Sequence, residues 1–356
     1  MPNFDLVELA IKGVCPNNTV IYDDKGYPSI MVEVPKFTYK DAGLGDSTDV
    51  LPCFKVNDQI VDSVFISKYQ NIVHDNRAYS LPGVTQTSYV TLDQALQYCA
   101  NKGAGWHLMT NPEWGAIMRW CAIRGITPLG NNNWGRHASE SVYTAIPADY
   151  EPGKIRRIKV GTGPLSYYHD GTPSGIADLV GNVWEWVGAI RTVFGELQVL
   201  VYNNAANSTI SQSATSAAWM AIKASDGSFI KPDGKGTTEG SIKMDCVSGK
   251  LQYATTITGE KGQKSCSFSD ITCSTDISDA AKLYLKAIGM LPNTKTDFTQ
   301  GQWTYWDASQ AERSFCRGGD CWSAGLGLPS FLGNSPRSNS GVNIGFRASY
   351  VKLPAA

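Results

Sequence analysis

Apolar and polar residues alternate through "YPSIMVEVPKFTYK" (27–40), a run rich in β-branched side chains. The pattern predicts one or two strands broken near Pro35. "VDSVFISKYQNIV" (61–73) reads as another strand. The period then changes to that of a helix. Thr91 is placed to cap it and Gln94 to complete a capping box, with Leu92, Ala95, Leu96 and Cys99 facing inward and Gly103 as the stop. A second helix follows, capped by Asn111, with Pro112 in its first turn, Glu113 near its N-terminus, and Trp114, Ile117, Met118 and Cys121 on the inner face up to Gly125. Residues 126–175 are rich in Gly, Pro, Asn and Tyr and read as irregular. "GIADLVGNVWEWVGAI" (175–190) predicts a turn leading into a buried strand.

From about 192 to 300 the composition shifts to Ser, Thr, Gly and Lys, interrupted by one helical patch, "DAAKLYLKAIG". This predicts an insertion with a few strands. It falls inside a domain of 28–356, preceded by a segment, 1–27, that docks to a partner or adds a strand. No internal repeat is visible.

Composition narrows the function more than the fold. The net charge is −1, which argues against nucleic-acid or anionic-membrane binding. The opening apolar run contains Asp5 and Glu8, so it predicts no export signal, and no later run is long enough to insert into a membrane. Synthesis without a signal peptide is therefore expected. The nine cysteines include no C-x-x-C pair, and the four histidines show no ligand spacing. Buried free thiols are expected, with pairing of Cys266 and Cys273 left open.

The last segment, "CRGGDCWSAGLGLPSFLGNSPRSNSGVNIGFRASY" (316–350), has two ends that look specified and a middle that looks arbitrary. Taken in order, "GYPSIMVEVPKFTY", "VFISKYQNIV", "YVTLDQALQYCANKGAGWHLMTNPEWGAI", "GIADLVGNVWEWV" and "RGGDCW…NIGFRASY" resemble the formylglycine-generating-enzyme type of C-type lectin fold, over about 28–190 and 300–350. The ending resembles more narrowly the variable proteins of diversity-generating retroelements. The resemblance implies an α+β C-type lectin fold with two helices, short strands, much irregular structure and a long insertion. It also implies a variable region at about 317–347.

In that family, adenines of Asn codons are mutated, and the codons become those of any residue with a pyrimidine in the third position. Against an Asn-rich template the departures here would be Asp320, Cys321, Ser323, Ala324, Leu326, Gly327, Gly333, Gly341 and Val342, with Asn334 and Asn343 unchanged. None is Lys, Glu, Gln, Met or Trp, which such codons cannot encode. These residues form the expected ligand-binding surface on exposed turns. Trp322, Phe331, Arg317, Phe346 and Arg347 form its scaffold, the arginines through buried hydrogen bonds. Trp184 and Trp186 are expected to pack in the core rather than stack on a sugar.

The resemblance further implies a protein that attaches to a host cell-surface protein or glycan. Its place would be a phage tail tip among other virion tail proteins, which the expected lack of a signal peptide favours, or else that of a cellular adhesin, cytoplasmic or brought to the cell surface by another route. Multiple copies or a homo-oligomer would raise avidity. No cofactor is implied apart from calcium, for which Asn182 and Glu185 occupy positions near a site in relatives of this fold. Two alternatives remain: a formylglycine-generating-type oxidase, or a structural virion or cell-surface protein. Such oxidases hold copper with two cysteines between the "RGG" and "GFR" frames, where this chain has only Cys321.

Overall fold

The computed structural model describes residues 5–353. It is mixed α+β, with strands paired into one five-stranded and one twelve-stranded sheet, three two-stranded ribbons and four helices. The alternating run forms the strand Pro28–Pro35, which ends at its proline, and the next apolar run forms Ser63–Ser67. Both lie in the five-stranded sheet, in the order Asn18–Tyr22, Pro28–Pro35, Ser63–Ser67, Ala348–Tyr350, Trp106–Leu108. Within the 1–27 segment, Asn18–Tyr22 pairs antiparallel to Pro28–Val32. The first four residues of the 1–27 segment lie outside the described residues.

The helix Leu92–Ala100 carries the capping box between Thr91 and Gln94. The helix Asn111–Ile123 is capped one residue earlier than its sequence suggests. Thr110 caps it and forms a capping box with Glu113, while the Asn111 amide turns away and donates to the carbonyl of Ile288 at 2.8 Å. Four helices replace the two expected. Asp279–Ala287 is the helical patch, capped by Ser278. Asp5–Val14 escaped prediction because its run is short, and Leu6, Leu9 and Val14 are exposed rather than aligned on an inward stripe.

The strand Trp184–Val193 is buried along its whole length and organises the larger sheet. Arg313–Arg317 runs antiparallel beside it, Ile344–Phe346 parallel to its first half, and Glu196–Val199 antiparallel to its second half. The 192–300 region departs most from expectation. Its strands Lys243–Val247, Lys250–Ala254 and Lys264–Ser267 belong to this same sheet. Its Ile222, Met244, Leu251, Tyr253 and Leu285 pack into the main core with Trp114 and Phe315. The segment is built into the fold because its backbone completes the sheet, whatever its polar composition. All nine cysteines are free, including Cys266 and Cys273. Among the described residues, no helix is long and apolar enough to cross a membrane.

Candidate functional site

The three sequence frames meet on neighbouring strands. Trp184 pairs with Ile344 and Trp186 with Phe346, while Glu185 and Trp186 pair with Arg317 and Cys316. Trp184, Trp186 and Phe346 share one buried cluster. Trp186 is wholly buried, its indole N–H donating to the carbonyl of Val90 at 2.8 Å, so it offers no face to a sugar. After Arg317 the chain turns through Gly318 and Gly319, at φ 85° and 91°. A Cβ at Gly319 would lie 2.5 Å from the Cβ of Leu326, and one at Gly318 would lie 2.4 Å from the carbonyl oxygen of Leu179. Both the backbone angle and the space demand glycine there.

The two arginines anchor the frames from inside. Arg347 makes a forked contact with Glu185 (2.5 and 2.7 Å) and donates to the carbonyls of Ser67, Ala177 and Asp178, each at 3.1 Å. It thereby ties both sheets to the 176–178 loop. Arg317 has no carboxylate partner. It donates to the Asn111 side chain (2.6 and 3.0 Å) and to the carbonyls of Gly289 and Pro329 (2.9 and 3.3 Å). Burial depresses its pKa to about 9.

This geometry corrects the calcium expectation. Both oxygens of Glu185 are taken by Arg347, and one also accepts from Gln70 at 3.0 Å. The Asn182 side chain is consumed in turn by Asn131 and by the backbone of Ile158. Both side chains are thus engaged by protein donors in place of a cation. Among the described residues no group of three His, Cys, Asp or Glu is placed to hold a metal.

The expected variable positions divide into two groups. Five are buried, against the expectation that all lie on exposed turns: Asp320, Cys321, Leu326, Gly327 and Gly333. Asp320 accepts from the backbone of Trp322 (3.3 Å) and from the Asn343 side chain (3.0 Å), pinning two loops together. Cys321 is wholly buried, and burial pushes its thiol pKa up. Leu326 is 2 % exposed and packs in the cluster of Trp184 and Phe346. A Cβ at Gly333 would lie 2.6 Å from the ring of Phe315. At Leu326 the loop returns to the core and satisfies its own backbone, the Leu326 carbonyl accepting from the Asn132 side chain at 2.9 Å, while Gly333 lies within the strand Phe331–Ser335 of the larger sheet. The other six remain accessible: Ala324 is exposed, and Ser323, Asn334, Gly341, Val342 and Asn343 are half-buried. Of the scaffold set, Arg317, Phe331, Phe346 and Arg347 are buried and Trp322 is half-buried.

The structure adds residues that sequence reasoning missed. Trp134 lies against Trp322 with ring centres 5.8 Å apart, its backbone N–H donating to the carbonyl of Cys321 at 2.6 Å. Lys154 sits 4.5 Å from the Trp134 ring centre. Tyr89, exposed and at φ 59°, donates its N–H to the carbonyl of Gly341 at 2.8 Å. Trp303, also exposed, donates its N–H to the carbonyl of Gly325 at 3.1 Å. Trp134, Trp322 and Trp303 thus flank loop 320–326 and Tyr89 flanks loop 341–343, and the Asn343–Asp320 bond joins the two loops. The available signal was weak: aromatic residues in irregular or edge segments, with no period to mark them.

Chemically this surface offers shape, aromatic faces and backbone groups. Two of its ionisable side chains are committed elsewhere, while Lys154 stays exposed over the Trp134 ring. Asp320 is tied to Asn343, and Arg337 is bound to Glu312, Asp93 and the carbonyl of Gln212.

No family model matches the chain, and no curated protein does. Solved structures that it resembles include PvdO from Pseudomonas aeruginosa, at 15 % identity and a TM-score of 0.38 over 94 % of this chain and 98 % of that one. Treponema denticola variable protein 1 is similar at 13 % identity and a TM-score of 0.34, over 94 % and 99 %. Likenesses of this size carry no argument about function, and none is drawn from them.

Proposed function

We propose that the chain is a ligand-binding protein of the formylglycine-generating-enzyme type of C-type lectin fold. Its loops at 320–326 and 341–343 carry residues diversified by a retroelement, and it serves in host attachment at a phage tail. One observation carries this reading. The frames around Trp184, Arg317 and Arg347 are buried and paired on adjacent strands, while Ser323, Ala324, Asn334 and Val342, which reach the surface between them, make no side-chain hydrogen bond among the described residues. Backbone hydrogen bonds, such as Leu326 N–H to Ser323 and Ile344 N–H to Gly341, hold the loops. A side chain at Ala324 or Val342 can therefore change without altering the path of the chain.

The diversified set is narrower than the sequence alone suggests: Ser323, Ala324, Asn334, Gly341, Val342 and Asn343, framed by Trp134, Trp322, Trp303 and Tyr89. The partner is a host cell-surface protein or glycan, contacted through aromatic faces and short polar groups, and tail proteins or further copies surround it. The protein binds and does not turn over a substrate, since the one thiol of the segment, Cys321, is buried and its carboxylate, Asp320, is engaged by Asn343.

Two measurements test this. The neighbouring DNA is expected to hold an adenine-rich near-copy of codons 317–347 beside a reverse transcriptase gene. Joint substitution Ala324→Asp, Asn334→Tyr and Val342→His is expected to abolish or redirect binding to host cells at unchanged melting temperature. Unchanged host binding in the folded triple variant would remove the site from these loops.

A further inference from the structure

The central strand has a second functional end. Trp184 lies under the loop surface, and Val193 lies at the other end of the strand, about 30 Å away at the usual rise per residue. There the hairpin tip Phe194–Gly195 borders a cleft of about 780 Å³. The 235–240 loop closes one side, and the 255–261 and 308–309 segments close the other. The cleft is a built feature. The buried Lys243 laces its floor, donating to the carbonyls of Thr238 (3.0 Å) and Thr255 (2.9 Å). Phe194 N–H donates to Gln310, and Ala308 N–H to Lys261, each at 2.8 Å. Gly236 lies so close that a Cβ there would meet the carbonyl oxygen of Val193 at 2.3 Å.

Phe194 is the odd residue. It and Gly195 form a two-residue hairpin turn at φ 46° and 82°. That turn favours Asn-Gly, because positive φ suits Asn and burdens an aromatic residue. The ring is also 42 % exposed. Asn would serve the fold better on both counts, so the ring is explained by what it faces. It faces a polar, cationic wall. Lys235 and Lys261 are exposed, and among the described residues neither ammonium group has a hydrogen-bond or ion-pair partner. Glu239 is the one carboxylate among the lining residues, and Thr256 presents a hydroxyl without a partner.

We infer that this cleft binds an acidic oligosaccharide, with one sugar ring on the face of Phe194 and its acid group between Lys235 and Lys261. The flat apolar ring matches the C–H face of a sugar. The hydroxyl-rich wall matches its hydroxyl groups, and the lysine pair selects an acid over a neutral sugar. A lipid chain would require a longer apolar wall than Phe194, Ile257 and Ala308 provide. The inference is independent of the loop-surface reading, because the cleft shares no residue with those loops.

Calorimetric titration of the full chain at low salt tests it, with hexagalacturonate, a heparin hexasaccharide and neutral maltohexaose as probes. At least one acidic probe is expected to bind saturably, and maltohexaose about tenfold or more weakly. Preference between the two acidic probes identifies the acid group as carboxylate or sulfate. Phe194→Asn is expected to weaken binding about tenfold or more while the melting temperature holds or rises. Lys235→Gln with Lys261→Gln is expected to erase the preference for acid, and Val342→Asn to change nothing. Failure of both acidic probes, equal binding of maltohexaose, full binding by Phe194→Asn, or loss with Val342→Asn would each overturn the inference.

Discussion

Leu326 tests the division of the variable segment into core and surface. It is 2 % exposed and packed among Trp184, Ile344 and Phe346, while Val342, in the neighbouring loop, is half-buried. Leu326→Ala removes three carbons from this cluster. At about 0.8 kcal/mol per buried carbon, the transfer loss alone is about 2.4 kcal/mol. The neighbours sit on hydrogen-bonded strands and cannot collapse inward, so the cavity raises the loss to about 3–5 kcal/mol. Val342→Ala should cost no more than about 0.5 kcal/mol. Urea denaturation followed by tryptophan fluorescence separates the two. With a slope near 3 kcal/mol/M, Leu326→Ala should lower the midpoint by about 1 M or more, with the slope unchanged. A loss below about 1 kcal/mol, or equal losses at the two positions, would refute the packing argument and return Leu326 to the binding surface.

Glu185→Ala should cost about 3–5 kcal/mol, since it strands the buried Arg347 charge; Glu185→Met with Arg347→Met should recover part of that loss in the same urea assay. Asp178 gives a pH dependence: burial raises its carboxyl pKa from 3.8 to about 6, and one of its oxygens has no partner. The folded chain therefore holds a proton that the unfolded chain releases, so this contribution is full below about pH 4 and is lost as pH rises through about 6. Asp178→Asn, at φ 56° where Asn is well tolerated, should flatten that slope in melts between pH 4 and 8 and stabilise the protein near neutrality. Incubation with copper and a cysteine-bearing sulfatase peptide should yield no aldehyde by mass spectrometry, because Cys321 is buried and stands alone between the frames.

Local chemistry made much of the fold legible. Thr91 and Gln94 announced a helix, Pro35 ended a strand, and the apolar run after Asn182 marked the central strand. What could not be read was decided by distant partners. Nothing in "KMDCV" or "KLQYA" shows that these strands extend the sheet through Glu196, because backbone pairing carries no side-chain signature. The site behaved likewise. Codon logic marks which residues a diversified segment could vary, but Leu326 meets the core through a path fixed by Asn132, far away in sequence, and Gly333 through Phe315 on the neighbouring strand. Asn111 and Thr110 are both good caps, and the choice fell to Thr110 because Arg317 and Ile288 claim Asn111.

Arg347 and the strand after it have a consequence for any process that rewrites the preceding codons. Ile344–Phe346 completes one side of the central strand, and Ala348–Tyr350 sits between two strands of the other sheet. A chain cut short or shifted in frame before residue 347 loses both strands and leaves Glu185 as a buried, uncompensated charge. Such a product cannot close either sheet and would be cleared by proteases. On the proposed reading, with residues 347–350 downstream of the diversified stretch, folding itself would check that the copy was read through in frame.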